Sequence, residues 1–196
     1  MSWDAEGPPD EAYGRVTRDL ATLYAPLLEG ARSTIDELAT TYDVERRAPS
    51  TEEAARVEGC VSDAVETTVL APRTPDQSAL IVGICDLPGV HLAFGRWASE
   101  HLPECGCDAC DERLEDLLDQ LSATCRLVIG GFDEWVRHED GDWWLGHQTV
   151  DGYGQGTVDR DDRARLGIAG PAELVWRPWT RLPSPPDQAT DPGPVR

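Results

Sequence analysis

The sequence contains neither lysine nor asparagine, and it has a single methionine. Without lysine the chain cannot form a Schiff base through a side-chain amine, and it cannot supply the lysine of a phosphate-binding loop. It also has no apolar run near the roughly 18 residues that a membrane-spanning helix needs. These absences exclude two kinds of lysine chemistry and predict a protein without transmembrane helices.

The first ten residues are acidic and proline-rich, so they lack the basic and then apolar regions of a signal peptide. We therefore expect a cytoplasmic protein. Thiols stay reduced in that compartment, where a cysteine cluster is more often a metal-binding or catalytic site than a set of disulfides.

Basic residues are scarce, and the formal net charge is −20. Such a chain repels nucleic-acid phosphates and anionic membranes, which excludes both as partners. The charge suits a basic protein partner of unknown identity, although it is also typical of a solvated, self-repelling surface. Nothing in the composition indicates the oligomeric state.

A chain of 196 residues with 40% hydrophobic residues is long enough to bury one full core. We predict a single α+β domain over residues 11–182, between a disordered lead (1–10) and a disordered proline- and aspartate-rich tail (183–196). The expected architecture is an antiparallel sheet of about four to six strands. It packs against N-terminal helices and one long helix after the cysteine motif.

Apolar residues recur at helical spacing from Glu11 to Tyr42, and Pro26 and Gly30 are expected to break this stretch into two helices. Strands are predicted from the alternation or continuity of apolar residues. In chain order they cover 42–46, 59–71, 79–85, 90–94, 143–148 and 173–177. The strands at 79–85 and 90–94 are expected to form a hairpin, and the strand at 173–177 is expected at a sheet edge. The segments 48–53 and 75–77 read as a loop and a turn.

The predicted long helix runs from about Ala109 to Trp135, with Asp108 as its N-cap and Gly130-Gly131 weakening its end. Two turns are expected, at 86–89 and 139–142. Residues 151–172 read as mostly loop, with a short helix near 159–166.

Three of the six cysteines lie within six residues, in the order Cys105-x-Cys107-x2-Cys110, and His101 precedes them. Tetrahedral zinc takes four nitrogen or sulfur ligands, so these three thiols with His101 as the fourth form a candidate zinc site. A helix beginning just after them would stabilise the thiolates that bind metal. A metal-free turn, a redox or catalytic site, a disulfide and an iron–sulfur cluster remain alternatives.

Other cysteines and histidines are candidates to complete this site through space, namely Cys60, Cys85, Cys125, His91, His138 and His147. Cys85 and Cys125 follow apolar patterns and are expected in the core instead. Trp143 and Trp144 are adjacent, so on a strand their rings point to opposite faces. One ring then enters the core and the other either packs under a loop or anchors a partner.

Several motifs resemble an uncharacterised actinobacterial family of small acidic proteins, classed as a domain of unknown function. They are Tyr13-Gly14-Arg15-Val16-Thr17, Tyr42-Asp43-Val44, Pro88-Gly89-Val90, Gly95-Arg96-Trp97, the Cys105-Gly106-Cys107-Asp108-Ala109-Cys110 core and Gly130-Gly131-Phe132 with Glu134. The resemblance spans residues 13–145 and implies no established activity. It includes the three cysteines but no histidine at the place of His101.

Two functions from different classes follow from these observations. The first is a non-enzymatic cytoplasmic protein in which the cysteine turn is structural, with zinc as its candidate ion, and an acidic surface meets a protein partner. The second is a thiol- or metal-dependent enzyme with a reactive cysteine at the helix N-terminus. We favour the first, because no recognised catalytic motif is present.

Overall fold

A computed structural model describes residues 8–57, 64–85, 89–149 and 152–183. These residues confirm the α+β class. The helices are α1 (Leu20–Thr41), α2 (Thr51–Ala55), α3 (Leu114–Gly130) and α4 (Arg160–Arg165), with a short 3-10 turn at Asp10–Ala12. The strands are β1 (Val44–Arg47), β2 (Ala64–Pro72), β3 (Leu80–Cys85), β4 (Gly89–Phe94), β5 (Ala98–Leu102), β6 (Phe132–Glu139), β7 (Asp142–Gln148), β8 (Tyr153–Thr157) and β9 (Ala172–Trp176).

Four predicted segments lie outside the described residues in whole or in part. They are the lead (1–10), the tail (183–196), the turn at 86–89 and the start of the second predicted strand (59–63). The division into one domain at 11–182 stays a prediction. No helix in the described ranges is long and apolar enough to cross a membrane.

The first five strands form an antiparallel sheet in the order β1-β2-β3-β4-β5. Its central strand β3 is buried along its whole length, as its continuous apolar sequence predicts. The β3–β4 pairing, with Val82 opposite Leu92, confirms the predicted hairpin. One face packs against α1 and α3, where Leu27 and Leu121 join the main core. The opposite face is covered around Val57.

The chain also forms a second antiparallel sheet, in the order β8-β7-β6-β9. The predicted turn between β6 and β7 is confirmed: Asp140 and Gly141 both have positive φ, 53° and 92°, as a tight hairpin turn requires. β9 lies at the edge, also as predicted. The interpretation of residues 151–172 as mostly loop is wrong over 153–157, because these residues form strand β8, where Gly154 leaves room for the His147 ring.

The prediction of two N-terminal helices broken at Pro26 and Gly30 is wrong. Asp19 caps α1 by accepting a hydrogen bond from the Thr22 amide, and the helix then runs unbroken to Thr41. Pro26 is exposed, so the carbonyl it leaves without an intrahelical partner faces water. A Cβ on Gly30 would lie 3.0 Å from Leu118 Cδ2, so this glycine allows α1 and α3 to approach closely.

The predicted helix over 109–135 is also corrected at both ends. α3 begins at Leu114 and ends at Gly130, with Gly131 in a left-handed conformation (φ 78°) as its C-cap. Phe132 and Trp135, whose spacing suggested one continuous helical face, lie on β6. The glycine pair therefore ends the helix, and the apolar period changes from helix to strand at that point.

Two smaller interpretations are wrong in the region before β3. Residues 48–53 contain the start of α2, because Ser50 and Glu53 form a reciprocal capping box. Val65 shares the alternation of apolar residues that predicts the strand over 59–71 and should be buried, but its side chain is 67% exposed. The pairing of β2 with β3 shifts register between Ala64 and Glu66, which breaks the alternation.

A buried carboxylate connects the two sheets. Glu134 on β6 has no exposed surface and accepts hydrogen bonds from the backbone amides of Arg96, Trp97 and Ala98, at 2.7, 2.8 and 3.1 Å. Its second oxygen also accepts from the Trp176 indole at 3.0 Å. The turn between β4 and β5 in the first sheet is thereby fixed to the middle of the second.

Candidate metal centre

The three clustered cysteines lie in a loop between β5 and α3. Gly106 allows this loop to pass close to α1, because a Cβ at that position would lie 2.7 Å from Leu20 Cδ1. Asp111, with φ 41°, ends the cysteine segment in a left-handed conformation. The loop therefore turns within a few residues, which brings sulfurs two and three positions apart onto one side.

Carboxylates of the same loop fix its backbone. Glu112 accepts hydrogen bonds from the amides of Glu104 and Cys105, at 3.0 and 3.1 Å. Asp108, predicted as the cap of the following helix, instead accepts from the amide and hydroxyl of Thr17, at 3.1 and 2.8 Å. The cap prediction is wrong because α3 starts further along the chain.

The segment before α1 forms the other wall of the site. The amide of Asp108 donates to the Arg15 carbonyl at 2.7 Å, and the amide of Ala109 donates to the Ala12 carbonyl at 3.2 Å. Arg18 donates to the Cys107 carbonyl at 3.1 Å. The strap formed by residues 12–18 is thus held against the cysteine loop by backbone and side-chain hydrogen bonds. Sequence reasoning missed this strap because its contacts join positions about 90 residues apart.

The ligand atoms of Cys105, Cys107 and Cys110 all lie within 4.8 Å of one another. The sulfurs of Cys107 and Cys110 are 3.5 Å apart, and the Cys107 amide approaches the Cys105 sulfur at 3.4 Å. Cys107 is buried, Cys105 half-buried and Cys110 exposed. The structure therefore brings the three predicted thiols together, with one side of the group open to solvent.

The thiols of Cys107 and Cys110 differ in their pKa values. A hydrogen bond from the Cys105 thiol, followed by bonds from the backbone of Gly14 and Cys110, lowers the pKa of Cys107 to about 6. The hydrogen bond to Cys107 raises the pKa of Cys110 to about 12. At neutral pH Cys107 is therefore largely thiolate while Cys110 keeps its proton, and metal binding would have to displace that proton.

The source of this charge differs from the sequence interpretation. The cysteines were expected directly before a helix, whose dipole would stabilise the thiolates, but α3 begins four residues after Cys110. Local hydrogen bonds at the Cys107 sulfur supply that stabilisation instead.

The predicted fourth ligand, His101, lies elsewhere. It is on β5, directly opposite His91 on β4, and the two ring centroids are 4.4 Å apart. Among the described residues, the group of ligand atoms within 4.8 Å contains the three cysteines without a histidine. Its place on a strand directs the His101 side chain into the sheet face instead of the loop, and sequence proximity alone could not show this.

The other candidate ligands are also distributed over the fold. Cys125 is buried on α3, where desolvation raises its pKa to about 12, and Cys85 is buried on β3. Both are core residues, as expected. His138 stacks on Trp143, and His147 makes edge contacts with Phe94 and Phe132. Cys60 lies outside the described residues.

Comparison with known proteins places the chain in a family. No curated protein and no solved structure matches the chain. One family model matches residues 1–183, and it is described as a family of unknown function, DUF6226. Because that match covers more than half of the sequence, the chain belongs to the DUF6226 family of unknown function.

Proposed function

We propose that this chain is a non-enzymatic cytoplasmic protein in which Cys105, Cys107 and Cys110 hold a structural zinc ion, and that its acidic surface binds a protein partner. The observation that carries the metal site is the convergence of three thiols from one loop, all within 4.8 Å of one another. Thiolates are soft ligands that suit zinc, and structural sites use them in sets.

The spacing of the sulfurs fits the ion. Three atoms no more than 4.8 Å apart share a point that lies no more than about 2.8 Å from each of them. Zinc–sulfur bonds are about 2.3 Å long, so inward movements of about half an ångström would complete three bonds. The exposed side of the group, at Cys110, leaves the fourth position open to solvent.

The ion would stabilise the junction between the strap and the cysteine loop. The Gly14 backbone of the strap forms a hydrogen bond with the Cys107 sulfur. Two carbonyls of the strap accept hydrogen bonds from the amides of Asp108 and Ala109. A metal held by the loop would fix this arrangement, and with it the path from β5 into α3. That is a structural function, which needs no substrate.

A dithiol enzyme is the second candidate, favoured by the 3.5 Å contact between Cys107 and Cys110. The Cys107 thiolate would attack a substrate disulfide and release one thiol, and Cys110 would then attack Cys107 to release the second. The products are a Cys107–Cys110 disulfide and two substrate thiols, so the protein dithiol is oxidised as the substrate disulfide is reduced. Burial opposes it: the acidic thiol, Cys107, is only 4% exposed, whereas the exposed thiol has the raised pKa.

One titration separates the two functions. Zinc added to the reduced, metal-free chain should raise the unfolding temperature, and at 100 times the dissociation constant the gain in free energy of unfolding is about 2.7 kcal/mol. Cys110→Ser should lose this effect and Cys125→Ala should keep it. If zinc changes nothing and Cys107 is alkylated rapidly near neutral pH, the dithiol enzyme is the better account.

A further inference from the structure

The four-stranded sheet has one face buried and one face open. Val136 belongs to a buried cluster on its inner side, and the half-buried Leu145 packs against that cluster. Side chains that alternate with them point the other way, and on this outer face Tyr153 and Val175 are 75% and 69% exposed. The outer face is defined here by the side chains of Trp135, Arg137, Trp144, Gln155 and Val175.

The two adjacent tryptophans of β7 separate between these faces. Trp143 is on the inner side, where the His138 ring stacks on it at 4.7 Å and the Arg163 guanidinium carbon lies 3.9 Å from its ring centroid. Trp144 is on the outer side, paired in register with Arg137 of β6 and Thr157 of β8. The ring of Trp143 is therefore already stacked against a cation. Trp144 is half-buried on the outer face, beside the buried Trp135.

Trp144 lines a pocket of about 270 Å³ together with Trp135 and Gln155. Three carboxylates, Glu139, Asp140 and Asp142, and one guanidinium, Arg137, complete the lining, which leaves an excess of two negative charges. In the described parts of the chain no donor forms a hydrogen bond or ion pair with these carboxylates. Ligand pockets are generally about 300–1,000 Å³, so this one fits a side chain better than a cofactor.

Aromatic rings beside carboxylates are the chemistry that binds cationic side chains. The protein already uses it internally: the Arg137 guanidinium carbon lies 4.3 Å from the Trp135 centroid, beside the same pocket. An incoming guanidinium could stack on Trp144 and donate to Glu139 and Asp142 at once, which a smaller ammonium cannot do as well. The net charge of −20 would attract a basic segment to this face.

We propose that the pocket beside Trp144 binds an arginine side chain from a basic segment of a protein partner. This assignment rests on the partner-binding half of the proposed function and is independent of the metal half. The proposal places the binding site at this pocket, makes Trp144 its main contact residue and predicts that the partner supplies an arginine. Trp144 and the three carboxylates are therefore binding residues, and Trp143 is a packing residue.

The test is calorimetric titration of a hexa-arginine peptide into the full chain at about 0.15 M salt, where surface charges more than about 8 Å apart are screened. We expect saturable binding to one site, weakened about tenfold by Trp144→Ala. The double variant Glu139→Gln, Asp142→Asn should weaken it similarly. Circular dichroism checks that each variant is folded, and zinc content is measured in the same samples.

The charge-matched control is Glu37→Gln, Asp116→Asn, which removes two exposed carboxylates on α1 and α3. This control should bind the peptide like the wild type. If both double variants weaken binding equally and Trp144→Ala binds normally, the proposed location is wrong although an acidic binding surface stands. If the wild type does not bind the peptide, partner binding by the acidic surface fails as well, and the zinc measurement remains a separate result.

Discussion

Replacing Glu134 with glutamine should destabilise the protein strongly although it changes few atoms. The carboxylate accepts four hydrogen bonds, two at each oxygen, from Arg96, Trp97, Ala98 and Trp176. An amide presents one oxygen and one NH2 group, so two buried donors would face another donor. Each buried donor left without an acceptor costs about 1–3 kcal/mol, and the total loss in free energy of unfolding is about 4 kcal/mol. Domains are stable by only about 5–15 kcal/mol.

Urea unfolding of Glu134→Gln, followed by tryptophan fluorescence and circular dichroism, measures this loss. Glu37→Gln is the matched control, because Glu37 is exposed on α1 and the same substitution there should change the free energy of unfolding by less than about 0.5 kcal/mol. A loss below about 1 kcal/mol in Glu134→Gln would refute the reasoning that this carboxylate holds the two sheets together.

Further predictions concern a histidine and two glycines. Burial, and then the neighbouring His101, lower the pKa of His91 to about 4, whereas an unfolded histidine titrates near 6.5. The unfolded chain therefore binds more protons between these values, and the free energy of unfolding should fall by about 3 kcal/mol as pH drops from 6.5 to 4. Urea unfolding across this range should show a shallower fall for His91→Phe, and an equally steep fall would exclude His91 as the cause. Gly131→Ala should cost about 3 kcal/mol, because a Cβ would lie 2.6 Å from the Trp176 carbonyl as well as adopting positive φ. Gly141 also has positive φ, but no atom lies within 4 Å of the position that a Cβ would take, so Gly141→Ala should lower the free energy of unfolding by only about 1 kcal/mol. Equal decreases in unfolding temperature for Gly131→Ala and Gly141→Ala would contradict the steric clash at Gly131.

The sequence predicted those parts of the fold that depend on interactions between residues close together in the chain. The continuous apolar run of β3 and the turn at 139–142 are visible without the rest of the chain. The Gly130-Gly131 pair marks the true end of α3, but apolar residues of β6 happen to continue the helical spacing and extend the predicted helix to Trp135. Periodicity alone cannot separate a helix from a strand that follows it directly.

Features that depend on distant residues could not be predicted. Pro26 is tolerated inside α1 because it faces solvent while the opposite side of the helix packs on the sheet. Glu134 reads as one more acidic residue in an acidic chain, since its donors lie about 40 residues away on either side. The same holds for the candidate metal centre. Its three thiols are close in sequence and were predicted, whereas the strap that forms the other wall consists of residues 12–18, about 90 positions away.

His101 shows the limit of sequence proximity most clearly. It lies four residues before Cys105, yet its strand ends at Leu102 and the chain turns away before the cysteine loop begins. The ring consequently faces His91 on the neighbouring strand. Distance along the chain indicated a ligand, but the register of β4 and β5 decides what the side chain contacts.

Elemental analysis of the purified chain tests the central claim most directly. Protein prepared under reducing conditions and without chelator should contain close to one equivalent of zinc. That zinc should disappear in Cys107→Ser and remain in Cys125→Ala, because only the first residue belongs to the cluster. A folded wild-type protein with no metal near one equivalent, or zinc that persists in Cys107→Ser, would contradict the assignment of Cys105, Cys107 and Cys110 as a structural zinc site.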